Sequence, residues 1–178
     1  VARLFLPFEK FQFIYNSEND YSDDFVFTEI VEKTDKSFLT VQVRLGEKYE
    51  SQTTEILKPN KDYHNECERL LAVNIFRCFE KITGYYPKWG ILTGIRPARL
   101  LARLIEREGE ENGLKAFKEK MLVTDKKAQF CYKCLKSEEE IIGESKPNDF
   151  SLYISIPFCP SRCYYCSFVS HSVESAKD

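Results

Sequence analysis

The stretch FVFTEIVEKTDKSFLTVQVRLGEKYESQTTEIL, residues 25–57, decides the fold class. It holds three runs, FVFTEIVEK, SFLTVQVRL and YESQTTEIL, separated by TDK and GEK. In the middle run Leu39, Val41, Val43 and Leu45 fall on one face, the period-two pattern of a strand with one side buried. The separators are short and polar, so the three runs predict an antiparallel meander. Upstream, RLFLPFEKFQFIYNS (3–17) reads as a helix remnant broken at Pro7, followed by a strand that joins the same sheet.

From Asp62 the period lengthens. Leu70, Val73 and Arg77, with Leu71, Ile75, Cys78 and Ile82, map an amphipathic helix that ends near Gly84. The loop YYPKWGILTGIRP (85–97) carries two glycines and two prolines. Pro97 suits the first turn of the next helix, PARLLARLIEREGEE, where its fixed φ and missing N–H cost nothing. Further helices are expected through GLKAFKEKML and DKKAQFCYKCLKSEEEII. The polar, punctuated segment GESKPND (143–149) marks a boundary between an N-terminal α+β domain, 1–145, and a second segment, 146–178. That segment opens with FSLYISIPF (150–158), a nearly all-apolar run expected to be a strand covered on both faces. A strand whose end feeds a reactive loop is the arrangement of β/α barrels, and only one such strand is present, so the chain reads as truncated.

The bulk composition narrows the function. The 178 residues are 43% hydrophobic and 30% charged, which supports a packed core, and the net charge of −2 offers no electrostatic footprint for nucleic acid. No apolar run approaches a membrane span and the start lacks a secretory pattern, so a cytoplasmic protein is expected. In a reducing compartment, seven unevenly spaced cysteines point to metal rather than to a disulfide framework.

Three of those cysteines lie in SIPFCPSRCYYCSF (155–168), spaced C-x3-C-x2-C. A structural zinc site wants four closed ligands, and His171 is the available fourth. An iron–sulfur cube differs: three cysteines leave one iron open for a substrate, and the short loop favours this reading. Phe158, Tyr164, Tyr165 and Phe168 would dry the loop.

CPSRCYYC resembles the signature of radical S-adenosylmethionine (SAM) enzymes, and LYISIPFCPSRCYYCSF the start of the oxygen-independent coproporphyrinogen III oxidases. WGILTGIRPARL and VRLGEKYE resemble the N-terminal domain of the coproporphyrinogen dehydrogenase branch of Gram-positive bacteria. The resemblance implies that Cys159, Cys163 and Cys166 ligate a [4Fe–4S] cluster, whose open iron would bind SAM. Tyr153 matches the family tyrosine near cluster and SAM, and Tyr165 the position that contacts the SAM adenine. It implies oxidative decarboxylation of coproporphyrinogen III propionates to vinyl groups through a 5′-deoxyadenosyl radical, with a tetrapyrrole substrate and a donor such as flavodoxin or ferredoxin. One position departs: two residues after the third cysteine the oxidases carry a further cysteine, and here stands Phe168. CSF is shared with relatives that act as haem chaperones, so haem delivery stays open beside enzymic turnover, with a zinc module as a third reading. The fragment alone is expected to be inactive.

Other groups have plainer readings. Cys67 and Cys78 sit in the apolar pattern of a helix as buried thiols. Cys131 and Cys134 share a helix face and read as two core thiols. His64, at a helix start, is expected to be exposed. Arg99, Arg103 and Arg107 recur every fourth residue. They form either a solvated face balanced by Glu106, Glu108, Glu110 and Glu111 or a dock for carboxylates of a tetrapyrrole or an acidic electron donor. Trp89, in PKWGILTG, is expected to pack against the rest of the barrel, and Gly90 and Gly94 suggest a tight backbone path.

Overall fold

The computed structural model describes residues 1–15, 24–58, 62–94, 96–146, 148–161, 163, 166 and 171–176. It is an α+β structure in which three strands, β1 (Phe25–Glu32), β2 (Lys36–Leu45) and β3 (Lys48–Leu57), form an antiparallel sheet in the order β1-β2-β3. The register sets Val26 opposite Val43 and Leu39 opposite Thr54, as two tight turns require. The alternation in β2 does what the sequence implies: Leu39, Val41 and Val43 are fully buried on one face.

That face is covered by α1 (Tyr63–Thr83), whose Cys78, Phe79 and Ile82 pack on Val41 and Val43, while Cys67 meets Leu39 and Ile56. Each large side chain so buried contributes about 1.5–3 kcal/mol of transfer free energy. One polar residue is admitted to the contact. Asn74 is buried, accepts from Thr54 Oγ1 at 2.9 Å and donates to the Leu39 carbonyl at 3.2 Å, so the helix is tied to two strands without an unsatisfied amide. Ser37, also buried, pairs with the Tyr63 hydroxyl at 2.7 Å. The helix ends where Gly84 adopts a left-handed φ of 69°, which a glycine takes without a Cβ penalty.

A second core is helical. α2 (Pro97–Glu108), α3 (Glu110–Met121) and α4 (Asp125–Gly143) enclose Leu101, Leu104, Phe117, Val123, Ala128 and Leu135. The sequence pattern carries α2 on to Glu111, but the helix breaks at Gly109 and α3 starts at once. Gly90 lies so close to the α3 C-terminus that a Cβ there would sit 1.9 Å from the Met121 carbonyl oxygen, and its φ is +59°. The tight path expected of that loop is therefore real at Gly90, whereas a Cβ at Gly94 would meet open space. Trp89 packs on this helical core, with Lys127 Nζ 5.0 Å from its ring. Trp89 is half-buried there, so part of its ring is held by its own unit.

The chain divides into two compact units, Val1–Glu140 and Ile141–Asp178. In the first, the opening segment departs from expectation. A short 3-10 turn at Ala2–Leu4 is present and Phe5 stacks on Phe79 with ring centroids 5.2 Å apart, but residues 9–15 form no strand. Phe13 and Tyr15 are exposed, so this part of the run has no sheet to join; residues 16–23 lie outside the described set. In the second unit the expected strand over 150–158 shrinks to β4 (Phe158–Cys159), paired in parallel with β5 (His171–Ser172). Phe150, Leu152, Ile154 and Ile156 are exposed, the opposite of coverage on both faces. A strand needs a hydrogen-bonding neighbour, and the described residues supply none along 150–156. No closed barrel forms among the described residues.

Candidate cluster-binding loop

Pro157 ends the apolar run, and Cys159 follows in β4. β5 returns alongside, with Phe158 opposite His171 and Cys159 opposite Ser172, and the His171 N–H donates to the Pro157 carbonyl at 2.7 Å. Both ends of the cysteine-bearing loop are thereby pinned to each other. Inside it, the Cys166 N–H donates to the Cys163 carbonyl at 3.0 Å, closing the C-x2-C step as a turn. Such a turn is what allows thiols three residues apart to face a common ligand.

Exposure sorts the seven cysteines, all of which are thiols. Cys67, Cys78 and Cys131 are buried, as read for all three. Burial pushes the Cys78 and Cys131 thiols up to about 11, which keeps them protonated and unreactive. Cys134 is exposed, so the pair Cys131–Cys134 is not two core thiols: the helix turns its second member outward. Cys159 and Cys166 are half-buried and Cys163 is exposed, so the loop thiols are the accessible cluster in the sequence.

Among the described residues no three His, Cys, Asp or Glu side chains are already gathered into a metal site. The donor set itself fits a thiolate-bound cluster: three sulfur ligands within eight residues, accessible and on a loop pinned at both ends. His171 fits less well as a fourth ligand. It pairs with Phe158, its ring 5.9 Å from the phenyl centroid, and side chains alternate along a strand, so it faces away from Cys159. Tyr153 is 79% exposed and makes no hydrogen bond or ring contact among the described residues. Tyr165, with Tyr164 and Phe168, lies outside the described set.

Sequence reasoning missed the loop closure, since a two-residue pairing leaves no periodicity to read. It also missed Arg96, which joins Arg99 and Arg103 at the start of α2; the i, i+3, i+7 spacing was the available signal. His64 is exposed, as expected.

No family model matches the chain. It is 26% identical over 180 residues to the oxygen-independent coproporphyrinogen-III oxidase-like protein HemZ of Bacillus subtilis (strain 168), an alignment covering 98% of this chain. What the chain is similar to is thus an oxygen-independent coproporphyrinogen-III oxidase-like protein, at that identity. It spans 35% of that relative's length, and the match runs through both compact units rather than stopping at the cysteine loop. No solved structure matches. No helix among the described residues is long and apolar enough to cross a membrane.

Proposed function

We propose that residues 146–178 open the radical SAM domain of a coproporphyrinogen III oxidase-like protein of haem synthesis, and that residues 1–145 are its N-terminal domain. Cys159, Cys163 and Cys166 would hold a [4Fe–4S] cluster, with Tyr153 and Tyr165 on the side where SAM binds. Cluster and SAM together supply, when bound, the one-electron chemistry that oxidative decarboxylation of a tetrapyrrole propionate to a vinyl group needs. The chain's own share is to present three thiolates from a loop pinned by the His171–Pro157 hydrogen bond and turned at Cys163–Cys166. A cytoplasmic location follows from the chemistry, because exposed thiols of this kind persist in a reducing compartment.

The observation that carries this reading is the segregation of thiols: of the four helical cysteines all but Cys134 are buried, whereas the three loop cysteines are half-buried or exposed. Anaerobic reconstitution of the full-length protein should load about four irons and four sulfides per chain and turn it brown. Cys163→Ala should abolish that uptake, whereas Cys78→Ala should leave it intact. Tight zinc binding in place of iron would overturn the reading. A second reading, haem delivery, is favoured by Phe168 at the position where the oxidases carry a further cysteine. Haem binding by the loaded protein without vinyl formation from coproporphyrinogen would select it.

A further inference from the structure

Eight arginines lie among the described residues, and five have a partner. Arg69, Arg77 and Arg107 pair with Glu66, Glu80 and Glu108 at 2.6, 2.7 and 2.5 Å. Arg3 lies over the Phe11 ring, and Arg44 over Phe25 and Tyr49. The three without one, Arg96, Arg99 and Arg103, fall within eight residues at the start of α2, and all are exposed. At a helical pitch they share one face over roughly 10 Å, opposite the face that buries Leu101 and Leu104. Glu106, one turn beyond Arg103 and also exposed, forms no ion pair with it. The solvated face expected of this helix is therefore present, but among the described residues only Arg107 has an acidic partner, and the guanidinium groups of Arg96, Arg99 and Arg103 have none.

We propose that Arg96, Arg99 and Arg103 form a docking face for the acidic surface of a one-electron carrier protein. This rests on the cluster reading above, which requires such a carrier. The charge is local: the whole chain is at −2, so the face is a cationic patch on a slightly acidic protein, which orients an acidic partner rather than attracting anions in general. The groups stand on the outer face of a helix, while small-molecule sites are concave and bury most of the ligand, so a protein surface fits better than a tetrapyrrole. Electron carriers engage through small, charge-steered, transient interfaces, which three exposed arginines suit.

The test uses full-length protein reconstituted with its cluster, and two acidic carriers, flavodoxin and ferredoxin, as probes. At least one should bind with an affinity that falls steeply with salt, and Arg99→Glu with Arg103→Glu should weaken it about tenfold or more. Lys126→Glu with Lys133→Glu, an equal charge change on α4, should not, and Arg99→Lys with Arg103→Lys should retain most binding. Reduction of the cluster by dithionite should be the same in all variants, which separates docking from loss of the cluster. Binding that ignores the reversal, or a dithionite-reducible cluster that neither carrier binds, overturns the dock while leaving the cluster reading standing. Loss of coproporphyrinogen binding with carrier binding unchanged also overturns it, in favour of a substrate contact. Failure to load iron at all overturns the cluster reading instead.

Discussion

Phe79 and Ile154 are both large apolar residues in strongly apolar stretches, yet Phe79 is fully buried and Ile154 is 75% exposed. Phe79 has a sheet to pack on, because β2 and α1 come from one continuous stretch of chain and meet within the same unit. Ile154 belongs to a run whose composition is that of a covered strand but which, ahead of Phe158, meets no sheet among the described residues. Apolar composition states a demand for cover, and only topology says whether the demand is met. The cysteines repeat the lesson with a functional edge, since the helices hide their thiols, apart from Cys134, and the loop does not.

The sharpest way to break this contrast is chemical. Iodoacetamide at pH 8 should modify Cys163 and Cys134 within minutes and spare Cys78 and Cys131, whose thiolates form only near pH 11. Peptide mass mapping reads the difference directly, and equal labelling of all seven would show that the helical cores are not closed. Next in size, Phe79→Ala should cost about 3–5 kcal/mol in urea unfolding, against less than about 0.5 kcal/mol for Ile154→Ala. A large loss at Ile154 would mean that the second unit has cover after all. Gly90→Ala should cost about 2 kcal/mol or more, because the left-handed backbone and the Met121 carbonyl both resist a Cβ. The smallest effect concerns Glu66, whose carboxyl the Arg69 hydrogen bond holds below its ordinary range. A lowered carboxylate stabilises above its unfolded pKa and loses that contribution as pH falls through the folded value. Glu66→Gln should therefore lower the melting temperature slightly at pH 7 and make no difference near pH 3.

The legible part of the sequence was the part whose partners are close in the chain. Leu39, Val41 and Val43 announced a strand, Cys78 and Ile82 a helix, and the two meet as those patterns require. The cysteine spacing marked Cys159, Cys163 and Cys166 as candidate ligands, while their accessibility came only with the structure. FSLYISIPF misled because β propensity describes a residue's fit to a sheet, and the sheet must come from elsewhere. The packing of Trp89 on the helical core was not legible, because a lone aromatic in a loop carries no sign of which core it faces. The unpaired state of Arg96, Arg99 and Arg103 was not legible, since sequence counts charges but does not show which carboxylates come within reach of them.

The pairing of Phe158 with His171 and of Cys159 with Ser172 gives the cysteine segment a fixed circumference. A tether of set girth leaves a guest fewer chain configurations to suppress on capture, and the entropy of bringing distant ends together is spent during folding. Lengthening the stretch between those two pairs by inserted glycines should thus weaken capture even with every sulfur in place.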